Sequence, residues 1–245
     1  VQSVYTVFSG AMSAAVDAKL IASSPCFNVR MPVVPPGEMV ILKYDEIERL
    51  SRLIDPRYRA LILVGCFCGL RIGELAGLSR RDIDLDDRRL HVRHSAVEVR
   101  GTLVLKEPKT RRGIRSVPIA PHVAVGLSEH LSRYTDRGSD APVFSGPDGA
   151  RLRPSNFRSR TWNRAVKAAE LGGATPHDMR HTAVSLWIAS GVPVLNVSRW
   201  AGHSSTAFTM DRYGHLIKDD DSAFMDVVGK RAVGGTVVPL RAVGG

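Results

Sequence analysis

Thr175-Pro-His-Asp-Met-Arg-His181 crowds groups that grip anions or move protons into a short stretch. Pro176 fits the first turn of a helix, where its missing donor costs nothing. His177 and Arg180, three apart, then share one helix face. Trp200-Ala-Gly-His203 and Met210-Asp-Arg-Tyr213-Gly-His215 follow, and Cys68-Gly-Leu-Arg71-Ile-Gly-Glu74 lies upstream. Guanidinium forks hold oxyanions, imidazoles titrate near neutral pH, and a tyrosine hydroxyl is a nucleophile once activated. Each residue alone has a plainer reading. A tyrosine near a helix end commonly packs, a lone histidine is commonly structural, and Arg71 could cap the apolar run before it.

His177-Asp-Met-Arg-His181 also mimics the His-Glu-x-x-His helix of zinc peptidases. Asp178 is one methylene short of the glutamate base, however, and Arg180 would place a positive charge beside the metal. No metal site and no cofactor are expected, and no Cys-x-x-Cys pair suggests zinc. Cys66 and Cys68 lie in the apolar run and read as reduced, buried thiols; with Cys26 they make an odd number.

Charge points to the partner. The net charge is +10 and the pI about 10.0, a balance suited to a polyanion, most often nucleic acid. Two stretches concentrate it. Lys106, Lys109, Arg111, Arg112 and Arg115 stand against the single acid Glu107, and Arg151, Arg153, Arg158, Arg160, Arg164 and Lys167 against none. Ordinary surfaces mix signs, so unbroken positive stretches read as phosphate contacts. The bland reading of any single member is a solvated charge.

These groups need elements to position them. A hydrophobic fraction of 44% and a charged fraction of 24% are those of a globular protein. The longest apolar run, Ala60 to Leu70, is too short to span a bilayer and reads as a buried helix; no secretory signal opens the chain. Apolar spacing predicts an amphipathic helix over 2–20. Its exposed stripe implies a missing preceding domain or packing on the main body. A proline-rich linker follows over 25–39. The main domain, 40–228, is predicted to hold helices to about 54, from Pro56 to Gly69, and from Arg71 to Leu78. Three short strands are expected within 89–119, with turns at Arg100-Gly101 and Lys109–Gly113. Helices follow near 121–133, 154–170, 176–190, 194–201, 205–212 and 218–228. The fold class is therefore mainly α with a small antiparallel three-stranded β-sheet. Residues 229–245 repeat Arg-Ala-Val-Gly-Gly twice around Thr236–Leu240 and read as a flexible arm, with a possible edge strand between the copies.

Gly-Leu-Arg71-Ile-Gly-Glu74, Pro-Lys109-Thr, His177-Asp-Met-Arg180-His, Ala-Gly-His203-Ser-Ser and Asp-Arg-Tyr213, in this order along residues 40 to 230, resemble the catalytic domain of the tyrosine recombinases, the phage-integrase family. The helix over 1–24 resembles the last helix of that family's core-binding domain. The resemblance implies a metal- and ATP-independent strand transesterase of phage or prophage origin. Tyr213 would attack DNA and form a 3′-phosphotyrosyl bond. Arg71 and Arg180 would hold the phosphate oxygens, Lys109 would protonate the departing 5′ oxygen, His177 would help move the tyrosine proton, and His203 would donate to a phosphate oxygen. Lys106 competes with Lys109. Glu74 would buttress the Arg71 region, and His181 would be a supporting or core residue. The implied partner is double-stranded DNA in the cytoplasm, met by four protomers through a Holliday junction, with accessory DNA-bending proteins; the free chain would be a monomer. The tail beyond Gly229 would dock on a neighbouring protomer. Two alternatives are a type IB topoisomerase and a non-catalytic DNA-binding protein on the same scaffold.

Overall fold

The computed structural model describes residues 2–32, 39–108 and 113–217. The chain divides into two compact units, Val1–Glu38 and Met39–Gly245. The first is built on α1 (Gln2–Asp17). The Tyr5 hydroxyl donates to the Cys26 carbonyl at 2.8 Å and ties the following segment back onto that helix. Val4, Val7 and Phe8 lie on a face of α1 that this unit does not itself cover. The expected helix is thus present and ends three residues early.

The second unit is organised around a helix apolar on all sides. In α3 (Arg59–Cys68), Leu61, Ile62, Val64, Cys66 and Cys68 are wholly enclosed, as an all-round apolar helix must be. It packs against α2 (Tyr44–Leu53), α5 (Pro121–Tyr134) and α8 (Asp178–Ala189). Pro56–Tyr58 forms a tight 3-10 turn before α3, with the Asp55 carboxylate accepting from the Arg57 amide. Burial pushes the thiols of Cys66 and Cys68 up and keeps them protonated. Gly69 ends α3 in the left-handed region at φ 67°, and a Cβ there would stand 2.8 Å from the Trp187 ring. Only glycine suits both constraints. The chain thereby turns out of the core directly into Arg71 and α4 (Ile72–Gly77).

The β structure differs from expectation in its pairing. Five strands form two antiparallel sheets among the described residues. The three-stranded sheet is β1 (Ile83–Asp84), β2 (Arg89–Val92) and β5 (Arg115–Pro118), in the order β1-β2-β5. In it Leu90 faces Val117 and Val92 faces Arg115. The other sheet is the hairpin of β3 (Ser95–Val99) and β4 (Thr102–Lys106). Its turn is Arg100-Gly101, both at positive φ, the geometry that matches strand twist. β1 escapes a periodicity reading because two residues cannot show alternation.

After α5, residues 154–168 run on as α6 (Pro154–Asn156), a π-helical turn (Phe157–Trp162) and α7 (Asn163–Ala168). Phe157 and Trp162 point inward, the Trp162 indole donating to the Ala174 carbonyl at 2.9 Å. α8, α9 (Val194–Ala201) and α10 (Thr206–Tyr213) complete the unit. No described helix is long and apolar enough to cross a membrane. The turn Lys109–Gly113 (apart from Gly113), the helix near 218–228 and the terminal arm fall outside the described residues.

Candidate active site

The site is organised by helix ends. The last carbonyls of an α-helix lack intrahelical donors, and two helices turn theirs on one guanidinium. Arg180, on α8, donates to the Gly69 carbonyl past α3 at 2.8 Å and to the Ala201 carbonyl ending α9 at 2.5 Å. It is 2% exposed. Cations stabilise such ends, and the bonds fix the guanidinium of Arg180. Burial, then Arg71 and Arg115, lower its pKa to about 9, against the opposing pull of Glu74.

Glu74 is the carboxylate inside this cluster. It accepts from the Arg71 amide at 2.8 Å and from the Arg71 guanidinium at 3.1 Å. It also takes both arms of Arg115 at 2.9 Å each, a bidentate pair in which both side chains are buried. Burial alone would raise its pKa; the Arg115 bonds and charge, the Arg71 amide and the Arg180 charge overcome it and hold it at about 2. Arg115 Nε further donates to the Trp200 carbonyl at 2.6 Å. Gly202, at φ 66°, brings the chain so close that a Cβ would sit 3.2 Å from that guanidinium. Arg71 remains exposed and presents its guanidinium at the edge of the cluster.

Tyr213 ends α10 and is 2% exposed. Its hydroxyl lies 2.5 Å from His181 Nδ1. Its ring lies nearly parallel to the His203 ring, at 9° with centroids 6.3 Å apart. His203 in turn engages the buried Thr209 hydroxyl through Nδ1 at 2.8 Å. Burial, then Arg180 and Arg71, push the His203 pKa down to about 3. Burial, then His177 and Arg212, push His181 down to about 4. Both rings are therefore neutral at physiological pH. Burial raises the Tyr213 pKa while Arg180 and Arg212 pull it down. His177, at the mouth of α8, is exposed and meets His181 edge-on with centroids 4.7 Å apart. Beside His203 a cleft of about 620 Å³ opens, lined in part by Arg89, Arg115, Arg199 and Ser205.

Arg71, Glu74, His177, Arg180, His181, His203 and Tyr213 thus lie on the connected ends of α3, α4, α8, α9 and α10. Lys109, Arg111 and Arg112 lie outside the described residues. The structure corrects two expected DNA contacts. Arg115 is buried and bound to Glu74, so it braces the cluster instead of meeting solvent. Arg151 is half-buried and donates to the Ala76 and Leu78 carbonyls and the Ser79 hydroxyl, closing the end of α4. Arg153 bonds the Gly101 carbonyl and anchors the hairpin tip. Lys106, Arg158, Arg160 and Arg164 are exposed. The spacing of residues could not foresee that His181, not His177, meets the tyrosine hydroxyl, because that contact joins residues far apart in the chain.

The model of the phage integrase family matches residues 41–219. The putative prophage phiRv2 integrase of Mycobacterium tuberculosis is 28% identical over 236 residues, covering 93% of this chain and 61% of that protein. A XerC-like tyrosine recombinase of Caldanaerobacter subterraneus is 29% identical over 232 residues, covering 83% of this chain and 59% of that protein. The chain thus spans about three fifths of the length of these curated relatives. Among solved structures, the Tn1549 transposon integrase in complex with a circular intermediate DNA superposes with a TM-score of 0.76 at 22% identity, covering 93% of this chain and 78% of that one. That likeness establishes the tyrosine recombinase catalytic-domain fold. With the family model covering most of the chain and four of the five motifs gathered on the helix ends of one site among the described residues, this chain belongs to the phage integrase family.

Proposed function

We propose that this chain carries the strand-cleaving centre of a site-specific DNA recombinase that cuts and rejoins DNA through a 3′-phosphotyrosyl intermediate. The observation that carries the reading is a buried surplus of positive charge next to a tyrosine hydroxyl. Buried Arg115 and Arg180 and the exposed Arg71 surround the carboxylate of Glu74. Buried charge without a counter-charge is costly. An anion between Arg71 and Arg180 relieves that cost, and a DNA phosphate is the anion that the +10 chain attracts.

The chemistry follows from the positions. Tyr213 Oη attacks the phosphorus and the 5′ oxygen leaves. Charge grows on the non-bridging oxygens, where the fixed guanidinium of Arg180 and the more accessible Arg71 stabilise it without reorganising. Arg115 and Glu74 hold Arg71 in place. His203, its Nδ1 anchored on Thr209, is left with Nε2 for a phosphate oxygen. Lys109 supplies the leaving oxygen's proton in this scheme, a role that rests on its sequence motif alone. The bond energy stays in the phosphotyrosine, so rejoining needs neither ATP nor metal. Exposed Arg158, Arg160, Arg164 and Lys106 contact phosphates along the duplex. Four protomers, free as monomers and working in the cytoplasm, exchange strands in pairs through a Holliday junction, with accessory DNA-bending proteins shaping the complex.

The test uses nicked suicide duplexes tiled from DNA flanking the gene. Wild-type protein should yield an SDS-stable protein–DNA adduct, and Tyr213→Phe should yield none while binding DNA. Supercoil relaxation without site preference would replace the reading with a topoisomerase. Tight binding without an adduct, in the full-length gene product as well, would replace it with a binding protein.

A further inference from the structure

We propose that His181 is the group that orients the Tyr213 nucleophile and receives its proton, through the hydrogen bond between Nδ1 and Oη. The proposal rests on the recombinase reading above and assigns one step of it. The two side chains come from different helices and are both buried, His181 at 8% and Tyr213 at 2% exposure. The pair is therefore held by the packing of α8 against α10. His177 makes no described hydrogen bond to Tyr213 and meets the His181 ring at a right angle.

A neutral imidazole carries one donor and one acceptor nitrogen. A phenol is a far stronger acid than an imidazole N–H, so Oη donates and Nδ1 accepts. As the Oη–P bond forms, the Oη–H proton passes to Nδ1 and makes an imidazolium. The P–O5′ bond breaks, and O5′ takes its proton from a separate acid, Lys109 in the scheme above. On rejoining, the O5′–H proton is given up, the Oη–P bond breaks and the imidazolium returns its proton to Oη.

The charges around the pair decide when it acts. His177, Arg212 and Arg180 disfavour an imidazolium at His181, and Asp178 favours it. His203 lies nearly parallel to the tyrosine ring. In free protein the cations win, and Tyr213 stays protonated and buried. A phosphate diester between the arginines offsets their charge and raises the basicity of Nδ1, so the substrate itself arms the base.

Suicide duplexes test this in the full chain. His181→Asn keeps a short polar group against Oη but cannot take its proton. It should bind DNA like wild type and form adduct about 10²–10⁴-fold more slowly, the usual worth of a positioned base. A duplex with sulfur in place of the 5′ bridging oxygen has a leaving group that needs no acid. It should rescue Lys109→Ala and leave His181→Asn slow. Placing 3,5-difluorotyrosine at 213, a more acidic phenol, should restore much of the His181→Asn rate. Adduct formation by His181→Asn within about threefold of wild type, or its rescue by the sulfur duplex, overturns the proposal. If His181→Asn does not fold, shown by lost DNA binding, wild type on the sulfur duplex decides. A solvent deuterium isotope effect must persist there, and its absence overturns the proposal. No adduct from wild type on any duplex would sink the recombinase reading instead.

Discussion

Two arginine-rich regions look alike in the sequence and end in opposite places. In the stretch from Lys106 to Arg115, the last arginine turns inward onto Glu74. In the stretch from Arg151 to Lys167, the first two arginines secure backbone carbonyls, while Arg158, Arg160 and Arg164 face solvent. What separates them is the partner supplied by the fold. Arg115 finds a buried carboxylate 41 residues upstream and the end of α9 beside it. Arg158, Arg160 and Arg164 lie on the solvent side of a helix whose Phe157 and Trp162 fill the core. The interior arginines build a charged centre with fixed geometry. The exterior ones make a surface whose pull on DNA depends on salt.

Arg115→Ala should break this contrast hardest. It takes from the Glu74 carboxylate its buried bidentate partner and leaves only Arg71 bonded to it, and losing one partner of a buried pair costs about 3–5 kcal/mol. Chemical denaturation should show a loss of that size, and adduct formation should fall with it. A loss under about 1 kcal/mol would mean that the pair is as weak as a surface bridge.

Acid should loosen the interior next. Glu74 is held at about 2, so its contribution is full above the ordinary carboxylate range and is lost as pH falls toward 2. His181 and His203, held at about 4 and 3, are neutral in the fold. The unfolded chain binds their protons first, so their contribution is full above about 6.5 and drains away as pH falls through 4 and 3. Unfolding free energy should therefore drop from pH 7 to pH 4. A flat profile over that range would contradict the burial assigned to these rings.

The smallest structural effect belongs to the exterior. Arg158→Ala, Arg160→Ala and Arg164→Ala should leave stability within about 0.5 kcal/mol of wild type. Each that contacts a phosphate should weaken DNA binding and reduce the salt slope by about 1. Unchanged slopes for all three would mean that this face does not meet DNA.

Much of this was legible in the sequence, for local reasons. The helices from Tyr44 to Tyr213 follow apolar spacing and glycine or proline punctuation, and the motif order identified the fold. What stayed hidden depends on distant parts of the chain. Nothing near Arg115 announces Glu74, and nothing near His181 announces Tyr213. β1 is too short to show a period. β2 pairs with β5, which lies beyond the whole β3–β4 hairpin, rather than with β3, which follows it directly.

In the proposed chemistry the Oη of Tyr213, held beside the buried arginines, is the atom that joins DNA. The direct measurement is peptide mapping of the covalent adduct trapped on a suicide duplex. A nucleotide remnant is expected on the peptide containing Tyr213 and on no other. A remnant on another residue, or a wild-type adduct that persists in Tyr213→Phe, would contradict it.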